Sequence, residues 1–500
     1  MSTNKPDNAV SSKESGSTAA GSDTSVGLAK VMGNIDILFV GFGAMIGFGW
    51  IVLTSGWIQS AGTLGAMLAF TIGGVVMIFV GLVYAELVAA MPVAGGAHNY
   101  LMRAMGPRTA LIGAWAITGG YITVIMFEAV VVPETLMYWF PNLEKIHLWN
   151  FAGFDVYLSW ALIGTVAAVI MGWINLRGIR AASMVQTFIV SFLLVLGVLL
   201  IIGIFVGGDT TNARPFFTGG SSGIVAVMIA VPFLFVGFDV IPQSAEEAKI
   251  APRKIGRLVV FSVTMAMAWY LLIIFTSSVA IPSAELPNYD LVTADALSIL
   301  LGHEFWGTVV IAGGVAGILT SWNAFLIGAS RLMYSMARAR MIPARYGKLH
   351  PKYRTPANAI ILITILAGLA PFLGSGMVNW MVNAGSPAIV ITYFLVSVGF
   401  LVLRRRDPNM PRPFRIGGKK DTGGIVVGVL AMALTLGMFA MYLPLTPWST
   451  ELGWPAWVMF AMWMAMGVYY MVRLPRSIKA GPNVERELIA AVEQRSSATR

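Results

Sequence analysis

The chain has 500 residues, of which 57% are hydrophobic and 11% charged, and its mean hydropathy is +0.77. These values lie far outside the range of soluble globular proteins and predict an all-α integral membrane protein. Cysteine is absent and the four histidines fall in predicted loops or at helix ends, so disulfides are excluded and a haem or carboxylate–histidine metal centre is disfavoured.

Residues 1–32 precede the first apolar segment and are rich in Ser, Gly, Thr and Ala. They lack the hydrophobic core of a signal peptide, so we expect a disordered cytoplasmic tail. About twelve apolar segments follow that can cross roughly 30 Å of hydrocarbon, and we number them spans 1 to 12. They lie at Ile35–Ser60, Thr63–Met91, Thr109–Phe140, Val156–Asn175, Ala181–Val206, Gly223–Ala245, Leu258–Ile281, Phe305–Ser330, Pro356–Leu373, Met377–Leu403, Gly424–Leu443 and Trp454–Val472.

The basic residues predict the membrane topology. If the amino terminus is cytoplasmic, only Lys145 and Arg214 of the 33 Lys and Arg residues fall in outside loops, as the positive-inside rule requires. We therefore expect a multi-pass protein of the plasma membrane or bacterial inner membrane with both termini in the cytoplasm. The net charge of +10 then reflects topology and contact of tracts such as Arg404–Arg406 with anionic lipids, and it requires no nucleic-acid partner.

Span 1 contains a dense run of glycines within Gly41–Trp50. Glycine at this density permits either tight packing against another helix or unwinding, because it carries no Cβ penalty in non-helical conformations. We interpret the run as a break in the helix. Unwinding would leave free carbonyls near Ala44–Ile46, which favour an ammonium group or a cation, and free amides near Gly47–Trp50, which favour a carboxylate.

Span 6 has two prolines, Pro232 and Pro242, on either side of Gly237 and Asp239. Each proline removes a backbone donor and weakens the helix. An ionised Asp near the bilayer centre costs about 2.5–3.5 kcal/mol and usually faces a polar cavity or a partner. Asp239 therefore takes part in a binding site or caps the amides of the following half-helix, and both roles can hold at once.

The two predicted breaks are five spans apart and their helices cross the membrane in opposite directions, as in a transporter with an inverted repeat. Broken helices expose backbone groups at mid-depth, which is tolerated only where those groups line a cavity or bind something. The chain is thus divided into the tail 1–32, a ten-span transport core 33–403, a basic cytoplasmic loop 404–422, peripheral spans 11 and 12 within 423–473, and a cytoplasmic tail 474–500.

Span 3 carries two further acids, Glu128 near mid-depth and Glu134 in the outer half. A buried carboxyl group is the usual proton carrier of transporters, and Glu128 could equally pair with a cationic substrate or hydrogen-bond to a neighbouring helix. Glu134 lies nearer the outer interface, so we expect it to be solvated.

A series of ordered motifs lies between Ile35 and Arg406, and on these residues the chain resembles the amino acid–polyamine–organocation transporter superfamily. The motifs are Gly43–Gly49 in span 1, Tyr84–Leu87, Pro92–Gly96 and Tyr100 around the end of span 2, Asn175 and Gly178 after span 4, Gly237–Asp239, Ala245–Glu247, Lys249 and Pro252 around the end of span 6, and Ser330, Arg331 and Pro343 around the end of span 8.

The resemblance implies a leucine-transporter-like fold with a 5+5 inverted repeat, in which the broken spans 1 and 6 hold the substrate between rocking bundles. It implies that the substrate carboxylate meets the amides of Gly47 and Gly49, that the amino group meets carbonyls near Ala44, Met45 and Phe235, and that Phe235 or Phe238 covers the site. The predicted substrate-binding residues are Ala44, Met45, Ile46, Gly47, Phe48, Gly49, Glu128, Phe235, Gly237, Phe238 and Asp239.

The coupling ion is open at this stage between Na⁺ and H⁺, and exchange is a further possibility. In the same fold a sodium site is built from span 1 carbonyls and span 8 hydroxyls, and Thr320 and Ser321 lie at a suitable depth, although such hydroxyls can also bond to the preceding turn. Some proton-coupled members carry a lysine in span 5, which Ala181–Val206 lacks. The family's Glu-x-Lys-Asn-Pro pattern is altered here to Glu247–Pro252, and no nucleotide-binding loop is present.

The sequence therefore predicts a secondary transporter that moves an amino acid by alternating access, without a cofactor, as a monomer or homodimer. The alternative substrate is a polyamine or another amine without a carboxylate, because Asp239 and Glu128 together offer negative charge. A channel usually needs several subunits around a pore, whereas the paired breaks favour one site in each chain. A membrane enzyme needs clustered His, Asp or Glu at one membrane face, and the four histidines are too few and scattered.

Overall fold

The protein is described by a computed structural model that covers residues 32–93, 95–418, 421–443 and 452–498. The predicted tail 1–32 lies outside these residues except for Met32. Within them the chain is almost entirely helical, and eleven helices are long and apolar enough to cross a membrane. The prediction of an all-α membrane protein is confirmed.

The first six spans keep their predicted places, and spans 1 and 6 are divided into segments. Their helices are Asn34–Met45, Gly49–Val52 and Thr54–Ala61 in span 1, Thr63–Ala90, Pro107–Met137, Leu158–Arg177 and Ile179–Gly207 in spans 2 to 5, and Gly220–Phe235 and Val240–Gln243 in span 6.

Spans 7 to 12 also match the prediction, with one difference in length. They are Pro252–Ala280, Phe305–Arg338, Ala357–Leu369 continued by the 3₁₀ turn Ala370–Leu373, Met377–Arg406, Asp421–Tyr442 and Trp454–Arg473. The ninth is shorter than the other spans, so the predicted twelve are eleven full-length helices and one shorter apolar helix. Spans 11 and 12 are the least buried of the eleven, as expected of a peripheral pair.

Several elements lie between or after the spans and were not predicted from the sequence, because they are short and carry no long apolar run. They are the helices Ala97–Met105, Val292–Leu301 and Val484–Ala498, the 3₁₀ turns Ala245–Glu247, Leu286–Asn288 and Ala344–Gly347, and an antiparallel hairpin of strands His147–Phe151 and Phe154–Tyr157.

Spans 1 and 6 cross in antiparallel fashion through close glycine contacts. A Cβ added to Gly41 would lie 2.5 Å from the Cδ1 atom of Ile241, and one added to Gly237 would lie 2.7 Å from the Cβ of Ala44. Residue numbers thus rise along one span as they fall along the other. The two breaks meet at the same depth, as the inverted repeat predicts.

Spans 2 and 10 are joined at the basic end of the bundle by a buried ion-pair network. Glu86 accepts hydrogen bonds from Nη2 of Arg404 at 2.5 Å and from the amide of Ile416 at 2.8 Å, and Nε of Arg412 lies 3.1 Å from its other oxygen. Arg404 is only 7% exposed. The expectation that the whole tract Arg404–Arg406 meets lipid headgroups is therefore wrong for Arg404, because a carboxylate distant in sequence draws it into the protein.

Candidate functional site

The break in span 1 leaves a set of backbone amides without partners. The last hydrogen bond of the first helix runs from the amide of Ile46 to the carbonyl of Phe42 at 3.1 Å, and the next runs from the amide of Ile51 to the carbonyl of Phe48 at 2.9 Å. The four amides from Gly47 to Trp50 have no acceptor within the described part of the chain. These are the amides that the glycine run predicted to be free.

Gly47 brings a carboxyl group against this free backbone. A Cβ at Gly47 would lie 2.5 Å from Oε1 of Glu128 and 3.0 Å from Oγ of Ser321, so only glycine leaves room for both side chains. Glu128 is 1% exposed, and its Oε2 atom has no hydrogen-bond partner among the described residues. An acid of span 3 is thus held beside the open end of span 1.

A cavity of about 20 Å³ lies between these groups. This volume accommodates about one water molecule, so the cavity is too small for an amino acid in this conformation. The wall is formed by Ala44, Met45, Gly47, Phe48, Gly49, Val124, Phe127, Glu128, Phe233, Leu234, Tyr270, Ser321 and Phe325.

The break in span 6 is capped by its own acid. Gly237 has φ +134°, a conformation that favours glycine, and its amide donates to Oδ1 of Asp239 at 2.9 Å. The Tyr121 hydroxyl of span 3 donates to Oδ2 of the same carboxylate at 2.6 Å. The prediction that Asp239 caps the amides of the following half-helix is therefore wrong, because its carboxylate turns back to the amide of Gly237 within the break.

Tyr270 of span 7 connects the two breaks, and sequence reasoning did not single it out. Its hydroxyl lies 2.8 Å from the carbonyl oxygen of Met45 and 3.1 Å from that of Leu234, and it donates to one of the two at a time. The only sequence signal was a hydroxyl-bearing aromatic in an otherwise apolar stretch of that span. Tyr270 partly satisfies the carbonyl side of the site, which the resemblance assigned to a substrate amino group.

Phe235 and Phe238, which were predicted to cover the site, do not line the cavity in this structure. Phe235 packs against Tyr270, with ring centroids 5.4 Å apart, and Phe238 packs between Tyr84 and Tyr393. Of the predicted substrate-binding residues, Ala44, Met45, Gly47, Phe48, Gly49 and Glu128 line the cavity, whereas Ile46, Phe235, Gly237, Phe238 and Asp239 do not. Their roles in binding stay predictions.

The predicted sodium-site hydroxyls face different surroundings. Oγ1 of Thr320 lies 3.2 Å from the carbonyl oxygen of Gly43 and 2.9 Å from that of Gly317, so it bonds both to span 1 and to its own preceding turn. A Cβ at Gly43 would lie 2.8 Å from Nε2 of Gln186, an amide that donates to the carbonyl of Phe39. Ser321 instead faces the cavity beside Glu128. A span 5 glutamine thus stands against the span 1 backbone beside Thr320.

Buried polar atoms without partners occur on both sides of the cavity. Within the described residues, those toward the basic end of the bundle include the hydroxyls of Tyr84, Tyr100 and Tyr393 and both amide atoms of Gln243, and those toward the other end include the indole nitrogens of Trp50 and Trp269 and the hydroxyls of Ser277 and Ser278. Buried polar groups are normally hydrogen-bonded. Both sets would gain water partners if the corresponding side opened.

Comparison with known proteins gives extensive matches. A family model described as amino acid permease matches residues 33–468. The chain is 26% identical over 469 residues to the branched-chain amino acid permease BcaP of Bacillus subtilis (strain 168), covering 89% of this chain and 93% of that protein. It is 25% identical to a methylthioribose transporter of the same organism, covering 92% and 97%, and 24% identical to its aspartate-proton symporter, covering 88% and 84%.

Proposed function

Since this chain belongs to the amino acid permease family, we propose that it carries a neutral, apolar amino acid across the membrane together with a proton. Family membership confirms the prediction of an amino acid–polyamine–organocation transporter that moves amino acids, and the comparisons do not favour the amine or channel alternatives. We also infer that it acts without catalytic chemistry, because the family and the relatives named above are transporters.

The charge of the cavity supports a zwitterion as substrate. The free amides of Gly47, Phe48 and Gly49 line the cavity and offer a carboxylate three donors, and the carbonyl ends at Met45 and Leu234 offer an ammonium group acceptors. The wall holds no Lys, Arg or His, so an acidic substrate side chain would find no counter-ion there.

The remaining wall supports an apolar substrate side chain. Val124, Phe127, Phe233, Leu234 and Phe325 provide aliphatic and aromatic surface on the side away from the free amides. Burial of an apolar side chain there contributes roughly 25 cal/mol for each Å² removed from water. Similarity to a branched-chain amino acid permease agrees with this substrate class.

Glu128 supports coupling to protons. Its carboxyl group and the proposed carboxylate position both adjoin Gly47, and two negative charges at close range in a site with little water repel each other strongly. Protonation of Glu128 removes this repulsion, so proton and substrate favour each other's binding. Loss of the proton on the other side then promotes release, which links substrate movement to the proton gradient.

The small volume of the cavity, and the polar atoms on both sides that lack partners among the described residues, support alternating access. A site of about 20 Å³ must expand to admit an amino acid, and the polar atoms described above would become hydrated on whichever side opens. We further propose that the basic end of the bundle and both termini face the cytoplasm, since basic residues concentrate at that end. A monomer or homodimer in the plasma membrane or bacterial inner membrane stays our expectation.

The test is uptake into proteoliposomes that hold an imposed proton gradient. We expect labelled leucine, isoleucine or valine to accumulate, with little competition from aspartate, arginine or putrescine. Preferred uptake of an acidic or basic amino acid, or of an amine, would contradict the proposed substrate class.

Substitution of Glu128 tests the coupling separately. Glu128→Gln should abolish accumulation driven by the proton gradient while keeping exchange between substrate on the two sides, because the neutral amide mimics the protonated acid. Glu285→Gln, at an exposed loop acid, is the matched control and should behave like the unaltered protein. Gradient-driven accumulation by Glu128→Gln would show that another group carries the proton.

A further inference from the structure

A second cavity, of about 500 Å³, lies on another side of span 3 from the substrate site, among spans 3, 8, 9, 10 and 12. Its wall is mainly apolar and includes five methionines. Met126 belongs to span 3 and Met333 to span 8, and the other three, Met459, Met462 and Met466, belong to span 12. Methionine side chains are flexible and adapt to irregular apolar partners. The cavity therefore suits a flexible hydrocarbon chain better than a rigid or polar molecule.

Span 12 is fixed at one edge of this cavity by a reciprocal pair of tryptophans. Nε1 of Trp115 donates to the carbonyl of Trp463 and Nε1 of Trp463 donates to the carbonyl of Trp115, both at 2.8 Å, and the rings stack with centroids 4.4 Å apart. A Cβ at Gly119 or Gly467 would overlap the partner's indole ring. Both glycines are thus needed for the pair, which holds span 12 against span 3 at the edge of the cavity.

Two arginines stand at the basic end of the cavity. Arg345 lines it and donates to the hydroxyl of Tyr346 at 3.0 Å, while Arg473, at the end of span 12, lies over the ring of Tyr469 at 4.2 Å. Arg473 follows the lining residue Tyr470 by about one helical turn on span 12, so its guanidinium group stands at the same end of the cavity as Arg345. Neither has a carboxylate partner in the described ranges.

We propose that this cavity binds an anionic phospholipid, with one acyl chain in the methionine-lined space and the phosphate group between Arg345 and Arg473. The apolar space and the two arginines at one end of it, which have no carboxylate partner among the described residues, match the two parts of such a lipid. A zwitterionic lipid carries the same phosphate together with an ammonium group, so its net charge is zero and it gains less from the two arginines.

The site adjoins the substrate cavity through span 3. Ile122 and Met126 face the lipid cavity, and Val124 and Glu128, on the same helix, face the substrate cavity. An acyl chain at Met126 would pack against the helix that holds Glu128. The inference concerns a separate site and does not depend on the proposed substrate or coupling ion.

Lipid retention tests the proposal without requiring transport. The full chain is purified in mild detergent, incubated with dioleoylphosphatidylglycerol or dioleoylphosphatidylcholine, and the bound lipid is counted by native mass spectrometry. We expect one tightly held phosphatidylglycerol per chain, preferred about 30-fold over phosphatidylcholine, and a double variant Arg345→Gln and Arg473→Gln that loses most of this preference. The matched control is Arg253→Gln with Arg257→Gln, two exposed arginines at the same end of the bundle.

A second pair of variants tests the apolar part without altering charge. Leu366→Trp fills the cavity and should reduce retention, whereas Ile365→Trp, at the neighbouring residue, which is 53% exposed outside the cavity, should not. Equal retention of both lipids, or unchanged retention in the double arginine and Leu366→Trp variants, would overturn the proposal. So would a stable dimer formed through span 12 with no lipid retained, since a second copy would then cover this face.

Discussion

Spans 1 and 6 break at the same depth, but they treat their freed backbone groups differently. In span 6 the amide of Gly237 is taken by Asp239, whose carboxylate is held in turn by Tyr121. In span 1 the amides from Gly47 to Trp50 have no acceptor in the described chain, and Gly47, Phe48 and Gly49 line a cavity. A broken helix therefore does not by itself define a binding site, because the side chains around the break decide whether its donors are available.

The difference follows from which residue type stands next to each break. Span 6 has an acid two residues after its glycine, and a carboxylate at that spacing reaches back to the glycine amide. Span 1 has Phe48 between Gly47 and Gly49 and Trp50 directly after them, and neither side chain can accept from an amide. We infer that the span 6 break is a fixed element and that the span 1 break receives the substrate.

Substitution of Gly47 should have the largest effect on uptake, because this residue lies in the span 1 break, where the backbone amides are free. In Gly47→Ala the new methyl group would lie 2.5 Å from Oε1 of Glu128 and 3.0 Å from Oγ of Ser321, which must both move. Overpacking of this kind costs about 1–3 kcal/mol, so we expect uptake to fall roughly 10- to 100-fold with the protein still folded in the membrane. Initial uptake rates, normalised to the amount of reconstituted protein, measure it.

The matched control is Gly56→Ala, since a Cβ at Gly56 meets no atom within 4 Å. That variant should transport normally. Full activity in Gly47→Ala would contradict the close approach of Glu128 to the span 1 backbone.

Asp239→Asn should have the next largest effect on uptake and tests the span 6 break, where Asp239 accepts from the amide of Gly237. The amide oxygen can still accept from Gly237, but a neutral group replaces a charged acceptor in two buried hydrogen bonds. Hydrogen bonds to charged groups contribute about 1.5–3 kcal/mol each, so we expect roughly a tenfold or greater loss of uptake and a lower melting temperature. Asp290→Asn, at an exposed loop position, is the control. Uptake equal to that of the unaltered protein would remove Asp239 from the predicted site residues.

The two breaks could be predicted from sequence because glycine and proline act on the backbone locally. Gly47, Gly237 and Pro232 weaken a helix wherever it packs, and long apolar runs fix the spans for a similarly local reason. The side-chain partners could not be predicted in the same way. Arg404 meets Glu86 across 318 residues, so its burial depends on tertiary packing that the run of arginines does not reveal.

The sequence also could not predict whether a polar side chain points toward the cavity or away from it. Tyr270 reaches both breaks from span 7 only because three helices meet there. Asp239 was a reasonable cavity candidate by depth, but rotation about the helix axis turns it toward Tyr121. Depth in the membrane follows from sequence position, whereas direction depends on how the spans pack.

Tyr270→Phe should have a moderate effect and tests the link between the breaks. Loss of the hydroxyl leaves the carbonyls of Met45 and Leu234 without this buried donor, at a cost of about 1–3 kcal/mol. If the substrate ammonium group replaces this donor in the loaded state, part of the loss is recovered on binding. We therefore expect a larger drop in thermal stability without substrate than with it, measured by melting curves at zero and saturating substrate.

Tyr289→Phe, outside the spans, serves as the control and should lower stability in neither state. Equal destabilisation of Tyr270→Phe with and without substrate would indicate that the ammonium group does not use these carbonyls.

Replacement of sodium should have the smallest effect and tests whether the carbonyl side of span 1 is available to a cation. The carbonyl of Gly43 already receives the hydroxyl of Thr320, and Nε2 of Gln186 lies against the same backbone. A cation at this carbonyl would first have to break the hydrogen bond from Thr320 and find room beside Gln186. Exchange of Na⁺ for choline at a fixed proton gradient should thus change uptake by less than about twofold, well under 1 kcal/mol. Sodium-dependent uptake that Thr320→Ala abolishes would instead establish the cation site and contradict proton coupling as the sole driving force.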